Sequence, residues 1–186
     1  MKIKFLGATH QVTGSSYLLE TAELKILVDC GMFQERDYSH RNWEPFPVPP
    51  DQIKYLLLTH VHQDHSGLIP KLVKEGFHGE ILLTSASKEL FPIVILDSAR
   101  IQEEDAAFKK KRNDNEEQEE PYPETPLYTV QDAEKCFPLL KAVPYEELLP
   151  LTNQVKVCFH DAGHILGSAM IEVVFQDENG SCLYYL

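Results

Sequence analysis

The stretch Thr59-His60-Val61-His62-Gln63-Asp64-His65-Ser66-Gly67 constrains this chain more than any other, because it places three histidines and an aspartate within six positions. The five residues before it, 54–58, are an apolar run of strand length, and Gly67 onward reads as a turn opening a helix. Metal-ligand side chains delivered at the end of a buried strand are held rigid, as a metal site needs. Imidazole nitrogen and carboxylate oxygen together suit zinc, manganese or iron, and two such ligand sets close together suit a two-metal hydrolase. His60 and His62 are two apart, so on an extended segment they point to the same side. Asp64 and His65 then fall at the bend, where each can face a different ion.

A second candidate segment lies far along the chain. His164 stands in His160-Asp161-Ala162-Gly163-His164-Ile165-Leu166-Gly167-Ser168, again directly after an apolar strand, with glycines allowing close backbone approach. Three histidines, His60, His62 and His164, leaving one position open for water form a catalytic rather than a structural zinc arrangement. Asp29 ends another apolar run, and a carboxylate there would accept a hydrogen bond from a ligand imidazole and fix its tautomer. His160 reads as an ordinary strand-end residue. His10, in a glycine-flanked loop lacking the lysine and helix start of a phosphate cradle, reads equally as a cleft residue or a solvated one.

Strands are expected over residues 2–6, 15–20, 24–29, 54–58, 80–84, 154–159, 169–175 and 181–186, and helices over 68–75, 86–107 and 130–140. Pro92 should kink or split the second helix and Pro138 should end the third early, since proline lacks the N–H donor and clashes with the preceding turn. Thr129 is a candidate cap for the third. Residues 109–126 are charged and proline-bearing and read as a mobile insertion, part of a charged helical insertion over about 100–128. The order of strands, then strand-helix alternation, then strands points to an α/β sandwich with helices packed on a mixed sheet.

At 186 residues, 43% of them apolar, the chain is one domain's length with enough material for a core. No apolar run approaches the roughly 20 residues that span a bilayer, and the start is too quickly polar for a signal peptide. A cytoplasmic protein with no membrane association is expected. Four scattered cysteines without a C-x-x-C pair argue against a zinc ribbon or disulfide framework and read as buried thiols. The net charge of −12, much of it in residues 113–120, speaks against non-specific binding to phosphate backbones. It leaves a nucleic-acid substrate open, because bound divalent ions reverse the local field.

His60-x-His62-x-Asp64-His65, with Asp29 before it and His164 after it, resembles the metallo-β-lactamase superfamily. Val12-Thr13-Gly14-Ser15, Leu27-Val28-Asp29-Cys30-Gly31, the segment from Asp97 to Asp105 and Asp161-Ala162-Gly163-His164-x-x-Gly167-Ser168-Ala169 are similar to the β-CASP RNA-processing nucleases within it. The resemblance implies a metallo-β-lactamase-like αββα fold and a zinc-dependent phosphodiesterase acting on RNA, ahead of single-stranded DNA. His60, His62 and His164 would hold one zinc, Asp64 and His65 would contribute to a second, and Asp64 would orient the water that attacks phosphorus. Asp29 would be the family's carboxylate behind the ligands. Family members continue into a bridging aspartate, an inserted β-CASP domain and a final histidine. Residues 1–186 are therefore expected to be the N-terminal part of the metallo-β-lactamase-like domain, binding about one zinc and weakly active or inactive alone. Apolar surface left where further strands pack would favour a homo-oligomer. A thioesterase-like hydrolase of the same fold and a non-catalytic metal-binding subunit are the competing readings.

Overall fold

The computed structural model describes residues 2–113, 125–177 and 180–186. Three layers stack in it: helices, a mixed sheet and a second sheet. The mixed sheet runs in the order of the sequence: β1 (Lys2–Phe5), β2 (Tyr17–Glu20), β3 (Lys25–Val28), β4 (Tyr55–Leu57), β5 (Glu80–Thr84) and β6 (Leu140–Val143). The β1–β2 and β2–β3 pairs are antiparallel, while β3, β4, β5 and β6 pair in parallel. The second sheet is antiparallel throughout: β7 (Leu149–Pro150), β8 (Val155–Asp161), β9 (Ala169–Asp177) and β10 (Gly180–Tyr185).

Why the mixed sheet sits in the middle is written in β4. Strand side chains alternate between faces, and here both faces are apolar: Leu56, Leu57 and Leu58 are all fully buried. Leu56 and Leu58 pack with Leu18, Leu27, Ile81 and Leu83 against the helices. Leu57 packs with Ile26, Val28 and Leu82 against Val157, Phe159, Ile171 and Val173 of the second sheet. A strand apolar on both sides has nowhere to lie except between two layers.

The helices are α1 (Gln63–Ser66), α2 (Ile69–Lys74), α3 (Ser85–Asn113) and α4 (Val130–Glu134). Several expectations are corrected. The helical turn after β4 begins at Gln63 rather than beyond Gly67, so Asp64 and His65 lie on it. Pro92 neither splits nor ends α3. Phe91, Ile95 and Ala99, all fully buried, press one face of α3 into the core on both sides of the proline, and that packing holds the helix through it. Residues 109–113, expected in an insertion, continue α3, while most of the acidic stretch lies outside the described residues. The Thr129 cap is present as a reciprocal capping box with Asp132, but α4 stops at Glu134. Pro138 sits in a separate 3₁₀ turn, Phe137–Leu139, and the chain from Leu140 is strand rather than helix. Cys30, Cys136 and Cys158 are buried as expected, whereas Cys182 is exposed.

No helix among the described residues is long and apolar enough to cross a membrane.

Candidate metal centre

Parallel strands end at one edge, and the histidine cluster gathers where β3 and β4 end beside the loop joining β8 to β9. The loops before β2 and after β3 are stitched to the turn of α1: Cys30 N–H donates to the His65 carbonyl at 2.8 Å, Met32 N–H to the Gln63 carbonyl at 2.9 Å and Ser15 N–H to the Asp64 carbonyl at 2.8 Å. This approach requires glycine at 31, where a Cβ would stand 1.7 Å from the Asp64 carbonyl oxygen.

Asp29, 1% exposed, is the hub behind the cluster. Its backbone is left-handed at φ 57°, a conformation aspartate tolerates better than most residues. Its carboxylate accepts from the Thr59 N–H at 2.9 Å, the Thr59 hydroxyl at 3.0 Å, the Ser15 hydroxyl at 3.2 Å and His65 Nδ1 at 2.6 Å. The last contact fixes His65 with Nε2 turned outward, 3.6 Å from Asp64 Oδ2. Burial works against a charge on His65, yet the hydrogen bond and charge of Asp29, with Asp64 beyond, hold its pKa above the ordinary value. Thr59 was not singled out by sequence reasoning. Its hydroxyl also lies 3.0 Å from His60 Nδ1, which leaves His60 Nε2 free to face the cluster. A hydroxyl residue ending a strand just before the first histidine was the available signal.

On the other side, Gly167 turns the β8–β9 loop through φ 86°, and its carbonyl accepts from the Thr84 hydroxyl at 2.7 Å and the Ser87 hydroxyl at 2.9 Å. The Ser168 hydroxyl accepts from the His164 and Ile165 N–H groups. The loop is thereby bolted to the start of α3, and His164 is presented to the cluster.

His60 Nε2 lies 3.1 Å from His62 Nδ1, and His164 Nε2 lies 3.3 Å from that same His62 nitrogen. One ligand atom from each of the three histidines falls within 4.8 Å of the others. Four donors set tetrahedrally about 2.0–2.1 Å from a zinc ion stand about 3.3 Å apart, and the two spacings that meet at His62 match that value. Burial, then the neighbouring imidazoles His65, His62 and His164, push the His60 pKa down to about 3, leaving a neutral ring with a free lone pair. The structure thus brings His60, His62 and His164 together and sets Asp64, His65 and Asp29 beside them. His10 stays exposed in its loop, outside this group.

Beside the cluster a groove runs along α3, lined among others by Met32, Gln34, Gln63, Val94, Ile101 and Gln102. The Gln63 and Gln102 side-chain oxygens are buried there without a hydrogen-bond partner. Gln63, between two candidate ligands, was passed over in the sequence as a spacer.

A profile of the Metallo-beta-lactamase superfamily matches residues 11–164. Ribonuclease TTHA0252 of Thermus thermophilus is 34% identical over 184 residues, covering 99% of this chain and 37% of the relative. Transcription termination factor FttA of Methanosarcina mazei is 32% identical over 91% of this chain and 24% of its own length. Cleavage and polyadenylation specificity factor 73 of Drosophila melanogaster is 30% identical over 93% of this chain and 23% of its own. The chain thus spans between about a quarter and two fifths of these relatives. Among solved structures, the subclass B3 metallo-beta-lactamase MEM-A1 aligns with a TM-score of 0.57 at 18% identity, over 98% of this chain and 58% of that one, a likeness of fold.

Proposed function

This chain belongs to the metallo-beta-lactamase superfamily, and from that premise we propose that it carries the metal-binding part of a β-CASP-type phosphodiesterase site acting on RNA. The observation that carries the reading is the convergence of His60, His62 and His164 nitrogens at the spacing of donors around one ion. The metal is zinc in this reading, because neutral imidazoles in a tetrahedral set with an open position are its usual catalytic environment. His65 Nε2 and Asp64 Oδ2 face the neighbouring position and would give a second ion part of its ligand set. Bound there, zinc supplies Lewis-acid polarisation of a phosphate oxygen and eases deprotonation of water. Asp64 orients the attacking water through its carboxylate. Thr59 holds the His60 ring, and Asp29 keeps the His65 ring in one tautomer. RNA is favoured over DNA by the relatives named as a ribonuclease, a transcription termination factor and a cleavage and polyadenylation factor.

Elemental analysis of the folded chain after removal of loose ions tests the site. About one zinc per chain is expected at the three-histidine site, lost in His62→Ala and His164→Ala. Zinc content indifferent to both substitutions would overturn the assignment. Any hydrolysis by the zinc-loaded chain should appear on single-stranded RNA before single-stranded DNA and vanish in Asp64→Ala. Cleavage of a thioester but not of RNA would place the activity in another branch of the fold.

A further inference from the structure

Away from the histidine cluster, β8 and the loop after β6 bring a second set of donors together. Glu146, Cys158 and His160 each offer a ligand atom within 4.8 Å of the other two. Cys158 and His160 are two apart on β8 and share one face of the second sheet. Glu172 on β9 pairs directly with Cys158 and so joins that face. His160 lies between two carboxylates, Nδ1 2.7 Å from Glu146 and Nε2 2.7 Å from Glu172. Glu146 reaches it from a left-handed backbone at φ 59°, anchored by its own N–H to the Phe159 carbonyl at 2.9 Å. Expected to be an ordinary strand-end residue, His160 is instead the centre of a polar cluster.

We propose that Glu146, Cys158 and His160 form a second, thiolate-containing site for a borderline-soft divalent transition ion such as zinc, separate from the three-histidine centre. Oxygen, sulfur and imidazole nitrogen are the three donor types zinc takes in proteins, and three protein donors leave one position for solvent. With Nδ1 turned to the ion on the Glu146 side, Nε2–H stays on Glu172. That is the carboxylate–imidazole–metal relay that orients a ligand ring and raises its basicity. Binding breaks the hydrogen bond between His160 Nδ1 and Glu146, forms oxygen–metal, sulfur–metal and nitrogen–metal bonds, and releases the Cys158 thiol proton, plus the second ring proton of His160 where the ring is charged, to solvent. Occupied, the site ties the loop after β6 to the second sheet.

The two sites differ in sulfur, and cobalt reports that difference. Adding Co2+ to the reduced chain, from one to two equivalents, should produce a thiolate-to-cobalt charge-transfer band in the near ultraviolet. The three-histidine site has no thiolate and cannot give that band. The band should persist in His62→Ala and in Cys182→Ser and disappear in Cys158→Ser. Glu146, its side chain 65% exposed, can be changed without disturbing the core. Glu146→Gln should weaken the titration that builds the band at least about tenfold. No charge-transfer band in the unsubstituted chain, its retention in Cys158→Ser, or a Glu146→Gln titration identical to the parent would each overturn the proposal.

Discussion

His65 and His160 are both held by carboxylates within hydrogen-bonding distance, yet they sit in opposite surroundings. His65 is backed by a single carboxylate that is itself sealed in the core and already accepts from Thr59 and Ser15. His160 stands near the surface between Glu146 and Glu172. The inner arrangement fixes a ring's direction: one nitrogen is committed inward and the other presented outward. The outer one commits both nitrogens and favours the charged ring, raising the His160 pKa through hydrogen bonds to Glu172 and then Glu146. His60, beside the inner pair, is driven the other way by burial. For His60, His65 and His160 the direction of the shift follows from the burial of the ring and the groups around it, not from its place in a motif.

The comparison breaks most severely at Asp29. Asp29→Ala strips the acceptor from Thr59, Ser15 and His65 and puts alanine in a left-handed conformation, so a loss on the order of 3 kcal/mol is expected in denaturant unfolding. Asp29→Asn, which tolerates that backbone and keeps one acceptor oxygen, should lose clearly less. Equal losses would show that His65 does not depend on the carboxylate.

At the surface the effect is gated by pH. The folded His160 pKa is raised, so its stabilisation is complete below the unfolded value of about 6.5 and lost as pH rises through the folded value. In chelator-treated protein the stability advantage of the parent over His160→Gln should therefore be present at mildly acidic pH and fade in alkaline buffer. A gap that widens with pH would mean that the ring is held neutral.

The smallest effect belongs to Glu35, which clamps the loop bearing His10. Its carboxylate accepts from the Thr13 hydroxyl and from the Thr13 and Val12 N–H groups, which bring its pKa down to about 2. The sign is opposite to that of His160. Stabilisation is present above the ordinary value near 4.5 and lost as pH falls toward 2. Glu35→Gln should thus narrow its deficit only in acid, seen as converging thermal midpoints.

Much of the inner site was legible because its donors lie in consecutive sequence at a strand end. Three apolar residues announced β4, and the alternation His60, His62 announced a shared side. His164 was legible from its glycines and the strand before it. The Glu146–His160–Glu172 cluster was not, because it joins a loop and two strands whose pairing no local pattern reveals. β6 was missed for a related reason: the α4 pattern of residues 130–140 carries on to Leu140, and only the parallel pairing with β5 makes that residue a strand. At Pro92 a correct local rule met a stronger tertiary one, the burial of Phe91 and Ile95.

His62 and His164 meet across 102 positions of sequence. At a synthesis rate of roughly 5–20 residues per second, His62 waits roughly 5–20 s for its partner to be made. For that interval the donors already made, His60, His62, Asp64 and His65, stand without the third imidazole of the three-histidine set. The three-histidine arrangement is therefore timed by the arrival of β8 and the loop beyond it, and the histidine written last decides when it can close.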